Sequence, residues 1–168
     1  MDAGVGKPTF PGLEGGCACG QLRYRLRDAP LFVHACHCTR CQRETGAPFA
    51  HHALIEHTAF ELLQGQPLLA TVPSDSGALH RVARCACCHT VLWNEWGEGP
   101  PLLRYVRVGT LDTPQHCPPQ AHIFTRSAQA WLKLAGEAPV YKTWYDARRR
   151  WPAASRARLA AARTTLKA

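Results

Sequence analysis

Apolar and polar residues alternate strictly along Gln21-Leu22-Arg23-Tyr24-Arg25-Leu26-Arg27. That two-residue period is the mark of a strand with one buried face. Residues 31–35, 49–55, 60–63, 68–72, 78–84, 90–93, 102–108 and 121–125 read as further short strands, rich in β-branched and aromatic side chains. Ser74-Asp75-Ser76-Gly77 supplies the turn of a hairpin between two of them. Residues 39–45 are polar and suit one helical turn, stopped by Gly46 and Pro48. Residues 128–134 read as a second short helix, and helix-forming composition returns from residue 153. Residues 1–15 are Gly- and Pro-rich and read as an irregular arm. Many short strands with regular turn punctuation predict one mainly β domain.

Composition narrows this picture. The chain has 168 residues, 46% of them hydrophobic, enough for one domain with its own core. It has no run of about 18 apolar residues, so no transmembrane helix and no membrane partner is expected. The first residues lack the charged-then-apolar order of a secretory signal. The expected setting is therefore cytoplasmic, where thiols stay reduced and favour metal over disulfides.

The net charge of +8 is unevenly spread. Residues 147–168 hold seven of the 20 Lys and Arg and none of the 12 Asp and Glu. The preceding part is close to neutral. The basic segment reads as a solvated C-terminal tail. A nucleic-acid role for it is the less favoured reading, because Trp151 is its only aromatic residue.

The chemistry lies in the cysteines. Eight of nine fall into three clusters, Cys17-Ala18-Cys19, Cys36-His37-Cys38-Thr39-Arg40-Cys41, and Cys85-Ala86-Cys87-Cys88, and seven of them, leaving Cys87 aside, have the ligand spacings C-x-C, C-x-C-x-x-C and C-x-x-C. Each cluster puts two or three sulfurs within one turn of backbone, as a shared metal ion requires. Seven sulfurs divide as four plus three. Structural zinc takes four protein ligands, whereas catalytic zinc keeps one position open. Spacing pairs Cys17 and Cys19 with Cys85 and Cys88 as two knuckles. It also allows Cys17 and Cys19 with Cys36 and Cys38.

Three thiolates make zinc a weak activator of water and a good holder of a fourth, soft ligand such as an incoming thiol. A thiolate so oriented would attack an electrophilic carbon, and the reverse step would cleave a carbon–sulfur bond. Cys87, Cys117, His34 or His37 would close the site if one of them supplied a fourth ligand. His37, flanked by two ligands, is the candidate for handling the proton of the adduct. His34, His51 and His52 flank the trio, and at most one of His51 and His52 faces it, since neighbours on a strand point oppositely. Arg40 and Arg43 beside the trio suit the carboxylates of a substrate. Trp93, Trp96, Trp131 and Trp144 read as core or rim.

The ordered motifs Gly16-Cys17-Ala18-Cys19-Gly20, Cys36-His37-Cys38-Thr39-Arg40-Cys41 through Gly46-Ala47-Pro48-Phe49, Cys85-Ala86-Cys87-Cys88, Gly109-Thr110-Leu111-Asp112 and Ala121-His122-Ile123-Phe124 carry a resemblance. The chain resembles the glutathione-dependent formaldehyde-activating enzymes, a family that includes centromere protein V. The likeness covers residues 12–146, with an arm over 1–11 and the basic tail over 147–168. It implies a β-tent fold of small antiparallel sheets around zinc knuckles. It implies a structural zinc on Cys17, Cys19, Cys85 and Cys88 and a second, catalytic zinc on Cys36, Cys38 and Cys41. It also implies carbon–sulfur lyase activity, with glutathione as thiol and formaldehyde as aldehyde. One position departs from the family pattern. His89 stands where Gly usually follows the last knuckle cysteine, at a turn that often needs a positive φ.

Overall fold

The computed structural model describes residues 10–74, 77–134 and 136–166. Most of the expected arm and the middle of the Ser74–Gly77 turn lie outside them. The fold is mainly β, as the alternating pattern predicts. Among the described residues, strands β1 (Leu13–Gly16), β2 (Arg23–Leu26) and β5 (Phe60–Gln64) form one antiparallel sheet in the order β1-β2-β5. A second sheet takes β3 (Phe32–Cys36), β4 (Ala50–Glu56), β6 (Pro67–Val72), β7 (His80–Cys85), β8 (Val91–Trp96), β9 (Leu103–Arg107) and β10 (His122–Ile123). Its order is β10-β3-β4-β9-β8-β7-β6, antiparallel except for the parallel β10–β3 pair. Seven strands make it larger than the small sheets expected.

Two expectations for local structure are corrected. Part of the supposed arm is strand β1, because Leu13 is buried and its backbone pairs with β2. Residues 128–134 are not helical. A 3-10 turn over Thr125–Ser127 precedes them, and among the described residues a turn bond from Leu132 N–H to Gln129 O follows. The helix expected after Cys38 is present as α1 (Thr39–Thr45), and Gly46 caps its end at φ 64°.

The core has two parts because β3 and β4 are buried on both faces. Val33, Ala53 and Ile55 face the first sheet, whose Tyr24 and Phe60 pack on Trp93 of β8. Phe32, Leu54 and Cys36 face the other way. That second face is covered by the C-terminal residues, which the charge pattern suggested were a solvated tail. They instead form α2 (Ala147–Arg150) and α3 (Ala153–Thr165). Trp151 is buried and stacks on Phe32 at 6.0 Å. Arg158 makes two hydrogen bonds to the buried carboxylate of Glu56, at 2.8 and 2.7 Å. Net charge predicts solubility and partners but not docking. Here a few apolar and paired positions anchor a segment that is basic on average.

Candidate metal centres and cleft

The two knuckles are built by tight turns that aim backbone N–H groups at sulfur. Cys17 N–H bonds Leu22 O at 3.0 Å, and Leu22 N–H donates to Cys17 Sγ at 3.3 Å. In the partner turn, Cys85 N–H bonds Thr90 O and His89 N–H bonds Cys85 O, both at 3.0 Å. Thr90 links the two turns. Its hydroxyl oxygen accepts from Ala18 N–H at 3.3 Å and lies 3.1 Å from Cys88 Sγ. His89 adopts φ 58°, so this turn takes the left-handed conformation without glycine.

The sulfurs of Cys17, Cys19, Cys85 and Cys88 all lie within 4.8 Å of one another. Cys17 and Cys19 are 3.4 Å apart, and Cys19 and Cys85 are 3.7 Å apart. A tetrahedral zinc with sulfurs at about 2.3 Å spaces them about 3.8 Å apart, so this donor set fits that ion. The protons are unequally held. Burial raises the Cys17 thiol, but hydrogen bonds from Leu22 N–H and the Cys19 and Cys85 thiols outweigh it and bring it down. The Thr90 hydroxyl lowers Cys88 to about 5.

Cys36 ends β3, Cys38 caps α1, and Cys41 lies in its first turn. Their sulfurs also gather within 4.8 Å. Among the described residues no further His, Cys, Asp or Glu joins either group. Thus Cys87, Cys117, His34 and His37 do not close the trio in this structure, and the alternative pairing of Cys17 and Cys19 with Cys36 and Cys38 is not adopted. Hydrogen bonds from Cys36 and Cys41 hold Cys38 low, at about 2, while sharing with Cys38 pushes Cys36 up to about 12. Both clusters can hold metal ions, and their all-sulfur donors suit zinc.

The two clusters differ in surroundings. The trio lines a cleft of about 580 Å³, and none of the four knuckle sulfurs does. Register builds the floor of this cleft. His34 pairs with His52, and His52 with Arg107, across β3, β4 and β9. Tyr105 pairs with Asn94, and Trp96 with His80, across β9, β8 and β7. These pairs lie on one face of the sheet and place polar and aromatic side chains across it. Arg107 does not itself line the cleft but links this face, 2.7 Å from both Glu44 Oε2 and His52 Nε2. Asn94 reaches Glu44 at 3.3 Å and His80 Nε2 at 3.0 Å.

The candidates named from sequence are distributed unevenly. Arg40 lines the cleft, with its guanidinium 3.2 Å from His80 Nδ1. Arg43 is exposed and does not line it. His37 is fully buried, with Nε2 3.0 Å from His122 Nδ1, and it does not line the cleft either. His34 and His52 line it, and His51 belongs to a separate, smaller hollow. Cys87 is exposed and Cys117 buried. Sequence reasoning missed His80, Asn94 and Tyr105, and it placed Trp96 and Trp144 too generally. No local motif marks these five; only their strand register and the docked C-terminal segment bring them to the trio.

A family profile described as glutathione-dependent formaldehyde-activating enzyme matches residues 12–127. The chain belongs to the glutathione-dependent formaldehyde-activating enzyme family. Membership supports a zinc protein concerned with glutathione and formaldehyde. The matched region includes all seven cysteines of the two metal-binding groups and ends before Trp144, Tyr145 and Trp151. Among solved structures, a Rhodobacter sphaeroides protein is similar at 15% identity, with a TM-score of 0.44, over 76% of this chain and 98% of its own. No helix among the described residues of this family member is long and apolar enough to cross a membrane.

Proposed function

We propose that the chain is a zinc-dependent carbon–sulfur lyase that joins and separates a thiol and an aldehyde, with glutathione and formaldehyde as the reference pair. The observation that carries this reading is the contrast between the clusters: three sulfurs open on a cleft, four away from it. On this reading Cys17, Cys19, Cys85 and Cys88 hold a structural ion that ties distant parts of the chain together. Bound to Cys36, Cys38 and Cys41, zinc would supply a soft fourth position that holds the substrate sulfur as thiolate.

The remaining roles fall to side chains. Arg40 and Arg126 line the cleft and suit the two carboxylates of glutathione. In the joining direction the sulfur forms a bond to the aldehyde carbon, the carbonyl π pair moves to oxygen, and that oxygen takes a proton. His34 lies two residues before Cys36 on the same face of β3 and lines the cleft. We assign it the hydrogen bond to the adduct oxygen. His37, tied to His122 behind the trio, we assign to holding the ligand loop.

The test compares Cys38→Ser with Cys17→Ser. Zinc content is measured together with the rate of exchange between free glutathione and its hydroxymethyl adduct, relative to a protein-free control. Cys38→Ser should stay folded, lose one zinc equivalent and lose the acceleration. Cys17→Ser should lose the fold. Full acceleration by Cys38→Ser after loss of one equivalent overturns the reading.

A further inference from the structure

The cleft is much larger and more aromatic than a one-carbon aldehyde requires. Its volume of about 580 Å³ lies within the ~300–1,000 Å³ typical of sites for drug-sized ligands. Its two ends differ. Toward β7 and β8, Trp96 stacks flat on His80 with centroids 3.9 Å apart, and Arg40 reaches the same imidazole. Toward β3, where the trio sits, the wall is made by Phe124 and Trp144, whose ring centroids are 6.0 Å apart. Trp144 also meets His34 edge-on at 5.3 Å and stacks on Tyr145 at 5.1 Å. Strands β3 and β8 are three steps apart in the sheet, about 14 Å, so these two aromatic walls are well separated.

The wall beside the trio is held at a cost. Phe124 adopts φ 54°, a left-handed conformation that disfavours a side chain by about 1–2 kcal/mol. Such strain persists only where surrounding structure imposes it, and it gathers at binding sites. Here the imposing structure is the segment just before Trp144. Phe124 N–H bonds Thr143 O at 3.0 Å, and Thr125 N–H bonds Tyr141 O at 3.1 Å. The same short stretch therefore pins Phe124 and delivers Trp144. It lies beyond residue 127, where the family match ends. Trp144 is 45% exposed, so its ring is only part-covered by protein.

We propose that this chain is selective for thiol adducts whose reacting carbon carries an aryl or bulky alkyl group, which packs against Phe124 and Trp144. This rests on the lyase reading of the trio. With the sulfur at Cys36, Cys38 and Cys41, the substituent on the neighbouring carbon falls beside the Phe124–Trp144 wall. The thiol's own backbone then extends along the floor toward Arg40. A hydrogen on that carbon, as in the formaldehyde adduct, leaves the wall uncovered. An aryl group removes it from water.

Uncleavable thioethers test this apart from catalysis. Binding of S-methylglutathione and S-benzylglutathione to the zinc-loaded full chain is measured by calorimetry. The benzyl compound should bind about tenfold tighter or more, as burial of a phenyl ring against two aromatic side chains implies. Trp144→Ala, checked for two zinc equivalents and a native melting transition, should reduce that preference to about threefold or less. Equal affinities, no binding of either thioether, or a preference unchanged in Trp144→Ala each overturns the inference. A clear benzyl preference without any acceleration of thiol–aldehyde exchange upholds the wall and overturns the lyase reading instead.

Discussion

The hydroxyl of Tyr145 lies 3.2 Å from Nδ1 of His34, and it also accepts the indole N–H of Trp151 at 3.2 Å. Burial pushes the Tyr145 hydroxyl up, so it remains a donor. Tyr145 thus orients the imidazole that faces the cleft. Tyr145→Phe should strand the Trp151 donor and release His34. The expected cost is about 1–3 kcal/mol, or roughly 2–4 °C of melting temperature for each kcal/mol. Thermal melting checks the cost. Nitrogen NMR of the imidazole checks the orientation, and an unchanged His34 tautomer would remove the positioning role.

Arg158 on α3 clamps Glu56 at the end of β4, with Glu56 buried and Arg158 one-quarter exposed. Removing one partner of a buried pair costs about 3–5 kcal/mol, and partial exposure of this guanidinium lowers that to roughly 2–3 kcal/mol. Arg158→Ala should shift the urea midpoint down accordingly. A solvated tail would show no shift, so the same measurement discriminates the docked helix from a free one.

His89 occupies a left-handed position at φ 58° in the second knuckle. Glycine relieves about 1–2 kcal/mol of strain there but brings more freedom to the unfolded chain, worth about 0.5–1 kcal/mol. His89→Gly should therefore stabilise the protein by about 0.5–1 kcal/mol without changing its zinc content. A loss of zinc would instead make His89 a contributor to the metal site.

Burial pushes His34 down to about 3, and burial followed by the Arg107 charge pushes His52 well below its ordinary value. Both rings are neutral in the native state, while in the unfolded chain they bind protons near pH 6.5. The stability they contribute is full above about pH 6.5. It falls as pH drops toward the native values, by up to about 1.4 kcal/mol per pH unit for each ring. Urea midpoints of zinc-replete protein at pH 7.5, 6.5 and 5.5 measure the slope. His52→Gln should make it shallower, and an equally steep fall in that variant would remove His52 as a source of the acid sensitivity.

Much of this was legible locally. Strict alternation over residues 21–27 marked β2, and Gly46 marked the end of α1. The cysteine spacings announced ligands because a metal knuckle is a local turn, and local turns are written in adjacent residues. The first strand was hidden because Gly15 and Gly16 look like a loop until β2 pairs with them. The supposed helix over 128–134 failed because the strained turn at Phe124 sends the chain along Tyr141 and Thr143 instead.

By itself, then, the sequence determined a mainly β chain with three groups of clustered sulfurs, since strand periodicity and knuckle turns are short-range properties. Only the tertiary structure decided which sulfurs share an ion and which side chains face the trio. Cys19 and Cys85 are 66 residues apart yet 3.7 Å apart at sulfur. His34, His52, Asn94 and His80 meet through register across β3, β4, β9, β8 and β7, and the C-terminal segment completes their cleft through Tyr145 and Trp144. Those contacts depend on burial and long-range pairing, which no stretch of neighbouring residues records.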